Sequence, residues 1–239
     1  MRRDYHKWYS PELGRDMELL AFGHDGLPAI VFPTSQGKFY EFEDRGMVGA
    51  VAGKLERGEL QMICVDSLDS ESWYNRNVGP RWRIARQVQY DKYIVNEVVP
   101  FIRHHNRQPH LVTTGCSFGG FHAVNCALRH PDVFTGFLSM SGAFDLKSFG
   151  FLNGYYDDDV YFNQPLDFLP NLSEESCIAD QMRRRTYVLA TGVHDQCWND
   201  NERLAAVMHA KNIPVRLDVW GDDTGHDWPW WQRMAQVYL

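Results

Sequence analysis

Gly115-Cys116-Ser117-Phe118-Gly119 sets one serine midway between two glycines. This is the spacing a nucleophilic hydroxyl needs on a tight turn between a strand and a helix. The serine must project from a sharp bend, and small residues two before and two after it let the helix close on the strand. The run before the motif (residues 110–114) is β-rich, and residues 118–128 have the apolar spacing of a helix. That helix begins beside the serine, so its first free N–H groups can hold an oxyanion as it forms. A passive serine in a glycine-rich turn is the plainer reading. The strand–turn–helix context on both sides favours the chemical one.

A serine hydroxyl is a weak nucleophile at neutral pH, so it needs a base, and the base needs a carboxylate to orient it. On sheets that carry a serine on such a turn, the acid and then the histidine follow in the chain. Five histidines lie after Ser117: His122, His130, His194, His209 and His226. His226 stands in the loop Gly221-Asp-Asp-Thr-Gly225-His226-Asp, after an apolar run and before a final helical segment. A loop placed there can carry an imidazole over the serine. His122 is expected to pack or cap on the helix after Ser117, His130 to end that helix, and His209 to lie exposed on another. For the acid, Asp195 stands just past the apolar run 187–190 in Thr191-Gly192-Val193-His194-Asp195. Asp145, at the end of the stretch 139–145, is the competitor; position in the expected order favours Asp195. Asp200, Asp222 and Asp223 read as turn or cap residues, and Asp157-Asp158-Asp159 as solvated loop carboxylates.

These groups need a scaffold. Continuous apolar runs at 28–32 and 60–65 predict strands buried on both faces, and further strands are expected at 16–21, 110–114, 136–140, 187–190 and 215–220. Helical spacing covers about 44–57, 81–105, 118–128, 201–210 and the C-terminus. Strands alternating with helices imply an α/β class with a mostly parallel sheet flanked by helices. Residues 146–185 break the rhythm and read as a lid or insertion between two central strands. The 239 residues are expected to form a single domain.

The net charge of -7 and the pI near 5.8 argue against nucleic acid or an anionic membrane as partner. Arg183-Arg184-Arg185 reads as the positive end of a helix. Five cysteines without a CxxC pair, and a polar N-terminus lacking the apolar core of a signal peptide, lead us to expect reduced thiols in a soluble, cytoplasmic protein. Metal-ligand spacing such as HExxH is absent, so neither metal nor cofactor is expected. The glycine turn also lacks the spacings of nucleotide-binding loops. Homo-oligomerisation is left open.

The segments G-C-S-F-G-G, G-V-H-D, N-E-R-L-A-A-V-M-H-A-K-N-I-P-V and G-H-D-W-P-W-W resemble the esterase D, feruloyl esterase and mycolyltransferase-like group of α/β-hydrolases, over roughly the whole length. The resemblance implies the α/β-hydrolase fold, carboxylic-ester hydrolysis of a small-molecule ester, and Ser117, Asp195 and His226 as catalytic triad. The chain departs from the group after its third strand. Where relatives carry His-Gly or Gly-Gly, it has Pro33-Thr34-Ser35-Gln36-Gly37. The oxyanion donors are expected to be the N–H of Phe118 and one from Ser35 or Gln36.

Trp73, Tyr74, Tyr155, Tyr156, Trp198 and Trp228 are candidate substrate-binding walls, suited to an aryl or short acyl ester. Core packing is an equal account of Trp228, Trp230 and Trp231. The rival functions are an acyltransferase or thioesterase of the same fold, and a binding module that has lost hydrolysis.

Overall fold

The computed structural model describes residues 1–221 and 223–239, so the reading of Asp222 lies outside the described residues. Eight strands form one sheet: β1 (Arg3–Ser10), β2 (Arg15–Phe22), β3 (Leu27–Phe32), β4 (Leu60–Val65), β5 (Val112–Cys116), β6 (Gly136–Met140), β7 (Thr186–Gly192) and β8 (Arg216–Trp220). Their order is β1-β2-β4-β3-β5-β6-β7-β8. The pairs β1/β2 and β2/β4 are antiparallel and all the others parallel. This is the α/β-hydrolase arrangement expected from the sequence.

The apolar runs become the central strands because helices cover both faces. One face packs Ile84, Tyr90, Ile94, Val98 and Ile102 with Phe121, Val124, Leu204 and Met208. The other packs Phe42, Met47, Val48, Val51 and Leu55 with Trp231 and Met234. β1 is the strand whose position the sequence hid. Its inward residues are Asp4, His6, Trp8 and Ser10, so no apolar alternation marks it.

Two helical stretches differ in detail from expectation. The stretch read as 44–57 is three short helices, Glu41–Asp44, Met47–Ala50 and Ala52–Glu56, broken at Gly46 with its left-handed φ of 72°. The 81–105 helix runs Pro80–Tyr93, relaxes into a π-turn at Ile94–Val98 and resumes as Val99–His105. Pro100 has no N–H to continue the ladder, and the wider turn absorbs the missing bond.

Residues 146–185 carry the short helices Asp158–Phe162, Pro165–Phe168 and Cys177–Arg183. Phe151, Leu152, Val160, Leu169 and Met182 from this segment are buried in the core, so it is packed onto the sheet assembly. No helix among the described residues is long and apolar enough to cross a membrane.

Candidate active site

A parallel sheet sends the C-terminal ends of its strands to one edge, and there the loops after β3, β5, β6, β7 and β8 meet. Ser117 sits directly after β5 with φ 55° and ψ -121°, a conformation that costs about 1–3 kcal/mol for a residue with a side chain. The surroundings hold it there. Its N–H donates to Met140 O at 2.9 Å, and its own carbonyl accepts from Gly120 N at 3.0 Å and Ala143 N at 3.3 Å. The flanking glycines are required. A Cβ on Gly115 would run into the Gly119 backbone, and one on Gly119 would meet the carbonyls of Phe32 and Pro33.

Hydrogen bonds stitch the loops after β7 and β8 together, from Val193 N to Trp220 O at 3.0 Å and from His194 N to Thr224 O at 3.3 Å. They bring Asp195 beside His226. His226 Nδ1 lies 3.0 Å from Asp195 Oδ1, and its Nε2 lies 2.9 Å from Ser117 Oγ. A carboxylate only accepts, so the ring hydrogen sits on Nδ1 and Nε2 is free to accept the serine proton. The ring of Trp231 meets His226 edge-on at 4.9 Å and limits its rotation.

The side chain of Asp195 is fully buried. Burial alone would push its carboxyl up, but hydrogen bonds from His226, Ser141 and the Cys197 N–H outweigh that and hold it below the usual carboxylate value. Oδ1 takes the Cys197 N–H at 2.7 Å as well as His226. Oδ2 has no well-aligned donor, although the Ser141 hydroxyl lies close enough to the carboxylate to help hold it low. Ser141 is itself held at φ 55°, and its Oγ accepts from Trp231 Nε1 at 2.9 Å. Neither Ser141 nor Trp231 was expected here from the sequence. The only hint was the small pair Ser141-Gly142 directly after a buried strand.

The loop after β3 distinguishes the two proposed donors. Gln36 adopts φ 58° and gives its N–H to Asp69 Oδ2 at 2.8 Å, so it is removed as an oxyanion donor. Thr34 gives its N–H to Glu41 Oε2 at 2.8 Å, and Gly37 gives its own to Thr34 O at 2.8 Å. Among the described residues, nothing accepts the N–H of Ser35 or of Phe118. The Ser35 hydroxyl accepts from Tyr74 at 2.7 Å, and the Tyr74 ring stands edge-on to Phe118 at 5.5 Å.

The aromatic candidates divide. Trp73 has no solvent exposure, gives its indole N–H to Gln87 at 3.0 Å and packs on Phe121 and Phe151; it is core and not a substrate wall. Trp228 lies against Phe42 and Trp231 with the Arg45 guanidinium over its ring, which is the packing role. Tyr74 faces the serine side of the molecule. Trp198, half-buried, begins the helix Trp198–Ala210 next to Asp195. Tyr155 and Tyr156 point their hydroxyls at Asp157 and Asp167 and line a separate cavity of about 330 Å³. Two rings that the sequence did not single out, Phe149 and Phe151, stack at 5.2 Å; Phe151 is buried against Phe118, and Phe149 lies exposed over it. Arg76 holds this turn through the carbonyls of Phe149 and Gly150.

Several other titratable candidates have structural partners. Asp145 donates its N–H to Asp200 Oδ2 and lies outside the Ser117–His226 chain of hydrogen bonds. Asp157 caps its helix by accepting from Val160 N. His130 ends the helix Phe118–Arg129 and meets Asp91 at 2.8 Å. Asp195, Cys197 and His226 carry donor atoms within 4.8 Å of one another. However, both His226 nitrogens are already engaged, and burial pushes the Cys197 thiol up to about 12, where it stays protonated.

The model of the Esterase family, described as "Putative esterase", matches residues 10–238. Among solved structures, a ferulic acid esterase shares 17% identity at a TM-score of 0.79, covering 100% of this chain and 96% of its own. An S-formylglutathione hydrolase from Agrobacterium tumefaciens shares 13% identity at a TM-score of 0.75, covering 99% and 92%. A fluorophosphonate-binding serine hydrolase of Staphylococcus aureus shares 15% identity at a TM-score of 0.73, covering 99% and 96%. At these identities the likeness is one of fold. A search of the curated proteins finds no significant match.

Proposed function

We propose, from the premise that this chain belongs to the Esterase family, that it cleaves small carboxylic esters through an acyl-enzyme on Ser117. The observation that carries this reading is the unbroken chain Ser117 Oγ to His226 to Asp195, with contacts of 2.9 and 3.0 Å. His226 Nε2 removes the hydroxyl proton as Ser117 Oγ attacks the ester carbonyl. Asp195 keeps the tautomer and stabilises the imidazolium. The N–H groups of Phe118 and Ser35 take the oxyanion. His226 then protonates the leaving alcohol, and a water molecule repeats the sequence to release the acid.

Tyr74 and Phe149 are the exposed or half-buried rings of this cluster, packed on the buried rings of Phe118 and Phe151, and they offer an apolar surface that suits an aryl or short acyl group. An acyltransferase would use the same residues and differ in the acceptor that enters after acylation. Turnover of p-nitrophenyl acetate by the wild type, lost in Ser117→Ala together with fluorophosphonate labelling, is the expected result. Undiminished activity of Ser117→Ala overturns the assignment, and a wild type that neither labels nor turns over favours a binding module. Product analysis with and without an added alcohol separates hydrolysis from acyl transfer.

A further inference from the structure

A second buried acid–imidazole pair lies behind the first site. Asp69 has no exposed side-chain surface and His122 has 2%. His122 Nε2 meets Asp69 Oδ1 at 2.8 Å, and Asp69 Oδ2 takes the Gln36 N–H at 2.8 Å. His122 is on the helix that starts at Phe118, between the rings of Phe32 at 5.7 Å and Phe118 at 5.0 Å. One carboxylate therefore joins the loop after β3 to the helix that carries the other oxyanion donor. A buried ion or polar pair is costly to hold unless it is fully hydrogen-bonded, and a hydrophobic pair would fill this space as well.

We infer that Asp69 and His122 are positioning residues for the oxyanion hole. By pulling the Gln36 N–H inward at a left-handed φ, Asp69 turns the preceding peptide so that the Ser35 N–H faces the serine. His122 fixes the height of the carboxylate relative to Phe118 N. The pair touches neither substrate nor nucleophile. The inference rests on the proposed esterase reading.

The test compares Asp69→Ala, Asp69→Asn and His122→Phe with wild type. Three readouts are used: p-nitrophenyl acetate kinetics well below each melting temperature, affinity for an alkyl trifluoromethyl ketone, and fluorophosphonate labelling. The ketone adds Ser117 Oγ to its carbonyl carbon while the proton passes to His226, leaving an oxyanion on the former carbonyl oxygen. Loss of one oxyanion donor lowers turnover by about a hundredfold or more. Asp69→Ala is expected to lose about that factor in kcat with KM within about threefold, and ketone affinity should fall in parallel with kcat/KM. Asp69→Asn can still accept from Gln36 while its amide donates to the other His122 tautomer, so it should keep kcat within about tenfold. His122→Phe keeps the ring packing and should lose at least tenfold in kcat; it stands in if Asp69→Ala does not fold. Unchanged kcat and ketone affinity in the folded alanine or phenylalanine variant overturn the inference. So does an asparagine variant as slow as the alanine one. A wild type without turnover or labelling overturns the esterase reading instead.

Discussion

Replacing Asp195 with asparagine tests the acid's role and how its amide would orient. Asp195 Oδ1 accepts two N–H groups, from Cys197 at 2.7 Å and from His226 at 3.0 Å. An asparagine there must place its oxygen at the Oδ1 position, because the reverse rotamer sets an NH₂ against two donors. Its NH₂ then takes the Oδ2 position, where no N–H is aligned against it, and Nδ1 of His226 keeps its hydrogen. The variant should therefore escape the roughly ten-thousandfold loss that follows when an amide traps the wrong imidazole tautomer. What it loses is charge. A carboxylate and an imidazolium about 4 Å apart attract by about 4 kcal/mol at an effective dielectric near 20. At about 1.4 kcal/mol per tenfold, removing that attraction slows acylation about a thousandfold. Asp195→Ala also strands the Cys197 and His226 N–H groups, at about 1–3 kcal/mol each, and should be at least about tenfold slower again. The assay is single-turnover acylation by p-nitrophenyl acetate. An asparagine variant within tenfold of wild type would refute the electrostatic argument, and one no faster than alanine would refute the rotamer argument.

Further outcomes follow from burial and charge. Trp73→Phe should lower stability by about 1–3 kcal/mol in urea denaturation by orphaning the Gln87 acceptor, with KM unchanged, because Trp73 is core. Since the Asp195 carboxyl is held low in the fold, its contribution to stability is complete above the ordinary carboxylate range and is lost as pH falls through it. The urea midpoint of Asp195→Asn should accordingly fall less than that of wild type between about pH 6 and pH 3; equal slopes would contradict the assignment. Of the five thiols only Cys177 is exposed, so a thiol reagent should modify one equivalent rapidly in the native protein and five after unfolding.

The serine, the histidine and the sheet were legible in the chain because each depends on neighbours in sequence. Glycines two residues either side of Ser117 are a local steric demand, and apolar runs at 28–32 and 60–65 announce strands buried on both faces. The order of Ser117, Asp195 and His226 is the one that serine-on-a-turn sheets of this class carry. The edge strand β1 was not located, since its inward side carries Asp4, His6 and Trp8 where apolar residues would have marked it.

The residues that aim these groups were decided by tertiary structure. Which loop amide is free depends on what the others meet, and Gln36 meets an aspartate 33 positions away in sequence. Ser141 and Trp231 come together across 90 positions beside the acid, and Trp73 and Tyr74, adjacent in the chain, fall on opposite sides of the core boundary. Sequence spacing carries the covalent and periodic constraints of single elements. The direction of a hydrogen bond between elements is set only once the sheet has closed and its loops have been brought within about 3 Å of one another.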